Sequence, residues 1–121
     1  VKQNILLEKT FNFAVRAVRL TQTIQKKNQE FVLTRQFLRA TSIGANAEEA
    51  IAAHSTADFI AKLTIAQKEA RETQYWLRLI TASTLMDCTS DIKDIEEILK
   101  IITSILVTTK KKKEISDLNS K

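Results

Sequence analysis

Apolar residues recur along this chain at steps of three and four, the period of a helix that buries one face. The first run has Leu6, Phe13, Ala17, Leu20 and Ile24 as its core stripe, widened by Leu7, Phe11, Ala14 and Val18. It predicts a helix from a cap at Asn4 to about Lys27, where Lys26 and Lys27 suit the negative helix end. The opposite stripe is polar and basic, with Lys9, Asn12, Arg16, Arg19, Thr23 and Lys26 on one face. Asn28 and Gln29 leave so short a connection that the next helix must be an antiparallel neighbour.

That second helix is predicted over Glu30 to His54 without a break. Its middle, Arg39 to Glu49, holds the only glycine of the chain. A helical glycine costs about 1 kcal/mol against alanine, so Gly44 implies close packing. Ala40, Gly44, Ala47 and Ile51 form one apolar face and Leu38, Ala45 and Ala52 a second, which predicts two neighbours, one of them in another protomer. Between the faces lies a polar stripe of Arg35, Arg39, Ser42, Asn46 and Glu49, expected to be partly buried in a hydrogen-bond network.

Ser55-Thr56-Ala57-Asp58 is a capping box that opens the third helix. Phe59, Leu63, Ala66, Ala70, Thr73, Leu77 and Ile80 make a heptad seam toward the core. Beside it runs a mixed stripe of Asp58, Lys62, Ile65, Glu69, Glu72, Trp76 and Leu79, with Lys68 nearby, that suits a helix or protomer contact. Thr64, Gln67, Arg71, Gln74 and Arg78 are left for water. The helix ends near Thr84, and Ser90 caps a fourth whose core residues are Ile92, Ile95, Leu99, Ile102 and Leu106. From Lys110 the pattern fails, so residues 110–121, beginning with Lys110, Lys111, Lys112 and Lys113, are expected as a basic, mobile tail on a bundle of residues 1–109.

Composition agrees with an all-α, antiparallel up-down-up-down four-helix bundle: one domain of 121 residues with no proline and no strand signal. The single cysteine, Cys88, has no internal partner, which fits a reducing cytosol. The longest apolar region, Ile98 to Val107, is too short and too interrupted to span a bilayer, so a cytoplasmic protein without membrane contact is expected.

The net charge of +5 is unevenly placed. Lys2, Lys9, Arg16, Arg19, Lys26 and Lys27 stand against Glu8 alone in the first helix, whereas Asp87, Asp91, Asp94, Glu96 and Glu97 outnumber Lys93 and Lys100 in the fourth. This asymmetry fits either a polyanionic partner or complementary packing. No aromatic platform for base stacking stands out, since the aromatic residues mostly sit at core spacings.

Catalytic constellations are missing. The only histidine is His54 and the residue three before it is Ile51, so the Glu-x-x-His pairs of diiron bundles are absent. One Cys and one His make no zinc site, and there is no glycine-rich phosphate loop or Ser-His-Asp set. Glu48, Glu49, Glu69 and Glu72 lie beside Arg39, Lys62 and Lys68, a setting for ion pairs. The chain is read as no enzyme, with no cofactor and no metal.

Phe11-Asn12-Phe13-Ala14, Gln36-Phe37-Leu38-Arg39, Thr41-Ser42-Ile43-Gly44-Ala45-Asn46, Glu48-Glu49-Ala50, Asp58-Phe59-Ile60-Ala61-Lys62-Leu63 and Lys68-Glu69-Ala70-Arg71-Glu72-Thr73 carry a resemblance, together with Tyr75-Trp76-Leu77. In order and spacing they resemble the four-helix-bundle proteins encoded in intervening sequences of bacterial large-subunit ribosomal RNA genes. That family is similar to the accessory protein of diversity-generating retroelements, a basic homopentameric barrel that works with a reverse transcriptase and nucleic acid. The family pattern usually carries one more small residue between the equivalents of Arg39 and Thr41, and losing one residue rotates a helix by about 100°.

The resemblance implies a homo-oligomer, a pentameric ring, with a reverse transcriptase or another protein as a further partner. The expected function is non-enzymatic binding of nucleic acid, RNA first and DNA second, through Lys9, Arg16, Arg19, Lys26 and Lys110 to Lys113. Arg39, Ser42, Gly44, Asn46, Glu49, Asp58, Lys62, Lys68, Glu69, Glu72 and Trp76 are expected at structural or protomer contacts. The alternative is a scaffold ring that docks another protein and touches no nucleic acid.

Overall fold

The computed structural model describes residues 1–120; Lys121, the last residue of the expected tail, lies outside the described residues. Five helical segments follow one another: α1 (Lys2–Asn28), α2 (Val32–Ala40), α3 (Ile43–Ile51), α4 (Thr56–Ala82) and α5 (Thr89–Asn119). Segments α2 and α3 make one broken arm, so the architecture is a four-helix bundle. α1 packs on α2, α3 and α5, and α4 on the same three, which sets the four arms in a cycle of antiparallel neighbours. Among the described residues there is no strand.

The core is filled from every arm, with Phe13, Ile24, Phe37, Ile43, Leu63, Leu77, Ile80, Ile95 and Ile102 all fully buried. α4 follows its heptad reading: Leu63, Ala66, Ala70, Thr73, Leu77 and Ile80 are buried, and Ser55 Oγ accepts from Asp58 N at 3.1 Å to cap the helix. α1 buries Leu6, Phe13, Ala17 and Ile24 as expected, but also Thr10 and Thr21. Phe11 and Val18, read as widening the stripe, are 64% and 43% exposed.

The second arm departs most from expectation. It is not continuous: Thr41 and Ser42 form a turn between α2 and α3. Thr34, Phe37 and Ala40 are buried before the turn, and Ile43, Ala47 and Ala50 after it. On one ideal helix these two sets would be centred roughly 100° apart, the rotation of one residue. The turn absorbs that phase difference. Thr73 Oγ1 of α4 lies 3.0 Å from Ala40 O and 2.8 Å from Glu69 O, so a buried hydroxyl supplies a donor to the carbonyl freed at the break. Ile51 is exposed rather than on the core face.

Helix ends also shift. α1 starts at Lys2, ahead of Asn4, and the second arm starts at Val32, where the Glu30 carboxylate accepts from the N–H groups of Leu33 and Thr34. α5 starts at Thr89, and Asp87 Oδ1, not Ser90, accepts from Thr89 N at 3.0 Å. With one glycine in the chain, Gln29 and Thr84 take the left-handed conformation, at φ 54° and 58°. α5 buries Ile98 and Ile105 in addition to the expected seam, while Ile92 and Leu99 stay half-buried.

Candidate nucleic-acid interface

The basic stripe of α1 faces the acidic stripe of α5, and the two neutralise each other in part. Lys9 Nζ lies 2.9 Å from Glu97 Oε1 and Arg16 Nη2 2.7 Å from Asp94 Oδ2. Asp91, Asp94 and Glu97 recur at steps of three, which turns them toward α1. Arg16 also lies over the Phe13 ring, 5.8 Å from its centroid. Half-burial pushes the Asp91 carboxyl above its ordinary range, with Asp94 adding to the shift and Arg16 opposing it. Exposed pairs of this kind are worth about 0–1 kcal/mol, so a phosphate can compete for the cation, but neither side chain is a ready contact. Arg19 and Lys26 are exposed with no carboxylate within 4.0 Å among the described residues.

The lysine run does not begin an irregular tail. α5 continues through Lys110, Lys111, Lys112 and Lys113 to Asn119, because Lys, Glu, Ile and Leu favour helix and no Pro or Gly stops it. Lys113 Nζ pairs with Asp117 Oδ2 at 2.9 Å across one turn. Four consecutive helical lysines point at successive steps of about 100°, so they surround the helix and do not line one face.

The residues expected at structural contacts divide into groups. Glu69 of α4 accepts from Ser42 Oγ with one carboxylate oxygen and from Asn46 Nδ2 with the other, tying the turn and α3 to α4. Arg39 and Glu49 are exposed; Arg39 donates to Gln36 at 2.9 Å within its own helix. The polar stripe is thus buried only in part, at Asn46. Asp58 pairs with Lys62 at 3.3 Å on the surface of α4. Gly44 sits against Thr10 of α1. Lys68 and Glu72 are exposed, and Trp76 is half-buried with Tyr75 edge-on, centroids 5.3 Å apart.

Against the expectation that the aromatic residues mostly sit at core spacings, Phe11 is 64% exposed, Phe31 43% and, on α4, Tyr75 55%. Arg71 and Arg78, assigned to water, flank it at four residues before and three after on the outer face of α4. The spacing is visible in the sequence, but Tyr75 falls in none of the three stripes assigned to α4.

His54 lines an open cleft with Gln3, Ala53, Ser55, Thr56, Phe59 and Thr109, a set without a carboxylate or thiol. Among the described residues no group of three or more His, Cys, Asp or Glu is placed to hold a metal ion, and no helix is long and apolar enough to cross a membrane.

The model of the family described as 23S rRNA-intervening sequence protein matches residues 2–108. A crystal structure of a protein of unknown function from the S23 ribosomal protein family of Bacteroides thetaiotaomicron VPI-5482 is 44% identical, covering 88% of this chain and 98% of its own, with a TM-score of 0.85. A search of curated proteins gave no match. With the match extending over most of the chain and through all four arms of the bundle, this protein belongs to the 23S rRNA-intervening sequence protein family.

Proposed function

We propose that this protein is a non-enzymatic, nucleic-acid-binding bundle, with RNA as the first candidate ligand and DNA as the second, that works as a homo-oligomer, with a pentameric ring as the assembly. One observation carries the reading: most of its cations stand exposed outside any ion pair within the chain. Among the described residues only Lys9, Arg16, Lys62 and Lys113 lie within 4.0 Å of a carboxylate. Arg19, Lys26, Lys27, Arg35, Lys68, Arg71, Arg78 and Lys110 to Lys112 are exposed outside those pairs. Such a surface suits phosphate, and repetition around a ring adds avidity to weak single contacts.

Oligomerisation is supported by apolar surface the single chain leaves uncovered. Phe11 and Val18 of α1 are exposed, as are Leu38 at 37% and Ala45 on the neighbouring arm. Phe11 and Ala45 line one groove with Ala14 and Gly44. The same residues support the second reading, a ring that docks another protein, in which the charge serves only solubility.

Light scattering tests the assembly and is expected to give a discrete oligomer of five chains; a stable monomer at micromolar concentration would remove the avidity on which the reading depends. Binding to RNA that weakens steeply with salt favours the first reading, and salt-insensitive docking of protein alone favours the second.

A further inference from the structure

We infer that the outer face of α4 is a stacking platform for single-stranded nucleic acid, with Tyr75 holding a base and Lys68, Arg71 and Arg78 holding the phosphates on either side. The inference rests on the nucleic-acid reading and assigns it a site different from the basic stripe of α1.

Thr64, Lys68, Arg71, Tyr75 and Arg78 follow at steps of four, three, four and three, all exposed, on the side of α4 away from Leu63, Ala70 and Leu77. A solvated helix face has no need of tyrosine, which loses apolar contact with the core when its ring stands in water. Here Tyr75 is 55% exposed, with Arg71 four residues before it and Arg78 three after on the same helix face. Among the described residues its aromatic contact is edge-to-face, at an interplanar angle of 77° with half-buried Trp76, a geometry that does not stack a ring flat on the tyrosine. Arg71 and Arg78 stand about 10 Å apart along the helix axis, one to either side of the ring.

The neighbouring helix extends the positive surface. Gln67 Nε2 bonds Thr103 Oγ1 at 3.1 Å and Gln74 Nε2 bonds Glu96 Oε1 at 3.5 Å, which fixes the antiparallel register of α4 on α5. In that register Lys100 lies across from Arg71 and Lys93 across from Arg78, both exposed. The acids on this surface are Glu72, three residues before Tyr75, and Glu96, which accepts from Gln74. Cations therefore outnumber them around Tyr75.

An aromatic ring set among cations separated by single helical turns is the arrangement that stacks an unpaired base and tracks its backbone without reading sequence. A duplex keeps its bases inside the stack and has nothing to offer the ring.

The test is binding of labelled oligouridylate and of a duplex RNA of equal length to the full chain, by anisotropy at low salt, for wild type, Tyr75→Ala, Tyr75→Phe and the pair Arg71→Gln with Arg78→Gln. Stacking is worth about 1–3 kcal/mol per base, so Tyr75→Ala should weaken oligouridylate binding by about 5- to 150-fold. Tyr75→Phe should bind as wild type does, because the ring and not the hydroxyl makes the contact. Wild type should prefer the single strand to the duplex. Melting temperature and oligomeric mass should be the same for all four proteins, since Tyr75, Arg71 and Arg78 are exposed. If wild type binds RNA and Tyr75→Ala binds equally well, the platform is overturned while the wider nucleic-acid reading stands. A changed oligomeric mass in Tyr75→Ala assigns the ring to a protomer contact and also overturns it. If wild type binds neither probe, both readings fail together.

Discussion

A β-carbon placed on Gly44 would stand 3.1 Å from Thr10 Oγ1 and 3.3 Å from Thr10 Cβ. Thr10 cannot easily yield, because its hydroxyl is held by the Leu6 carbonyl at 2.8 Å and its side chain is buried. At this contact α1 and α3 approach closely, which accounts for the one glycine of the chain. Gly44→Leu should lose about 1–3 kcal/mol through overpacking. Gly44→Ala should be near neutral, since about 1 kcal/mol of helix propensity offsets the tight contact. Thermal melts decide this, and an unchanged melting temperature in Gly44→Leu would place the glycine away from Thr10.

Glu69 holds the break between α2 and α3 by accepting from both Ser42 and Asn46. A glutamine there keeps one acceptor for Asn46 and offers an amide to the Ser42 hydroxyl. Glu69→Gln should therefore lose about 0.5–1.5 kcal/mol in urea denaturation, and Glu69→Ala more. If neither variant moves the midpoint, these bonds contribute nothing to holding the turn.

The seam of α4 was legible because its heptad is unbroken from Leu63 to Ile80 and Ser55 marks its start. The turn at Thr41 and Ser42 was not, because both residues sit within a run that periodicity reads as helix, and a phase change of one residue leaves the local spacing intact. Thr10 and Thr21 count as polar in any stripe yet are buried; the hydroxyl of Thr10 bonds the carbonyl four residues back. The acidic and basic stripes were both visible, but only the register of α1 on α5 shows that Lys9 meets Glu97 and Arg16 meets Asp94. Charge runs say nothing of where a helix ends, so α5 continues through Lys110 to Asn119 where the apolar pattern stops.

Asp91 gives a pH dependence of definite sign. Burial raises its carboxyl above the ordinary 3.8, so the folded chain holds the proton more tightly than the unfolded chain does. Its charge then weakens folding at neutral pH, and that cost disappears below the unfolded pKa. Asp91→Asn should raise the melting temperature at pH 7, and the gain should vanish as pH falls below 3.8. A gain of equal size at both ends of the range would mean that its charge is not the cause.

Removing residues 110–121 should leave the bundle folded, because from Lys110 to Ser120 only Lys113 is even partly shielded. Circular dichroism and melting should show a core as stable as wild type to within about 0.5 kcal/mol. RNA binding should fall, through loss of Lys110 to Lys113. Changing Arg16 and Arg19 together to Glu should cost stability at the Arg16–Asp94 pair by about 1 kcal/mol and weaken binding less than removing Arg71 and Arg78 does. A larger loss from the α1 variant would return the contact face to α1.

The most direct measurement is the affinity of the wild-type protein for RNA as a function of salt. With cations contacting phosphates, the logarithm of the association constant should fall linearly with the logarithm of salt, at a slope of about −0.7 per single-stranded phosphate neutralised. The slope should become shallower when Arg71 and Arg78 are replaced by Gln. Absence of any RNA or DNA retention at low salt would contradict the account.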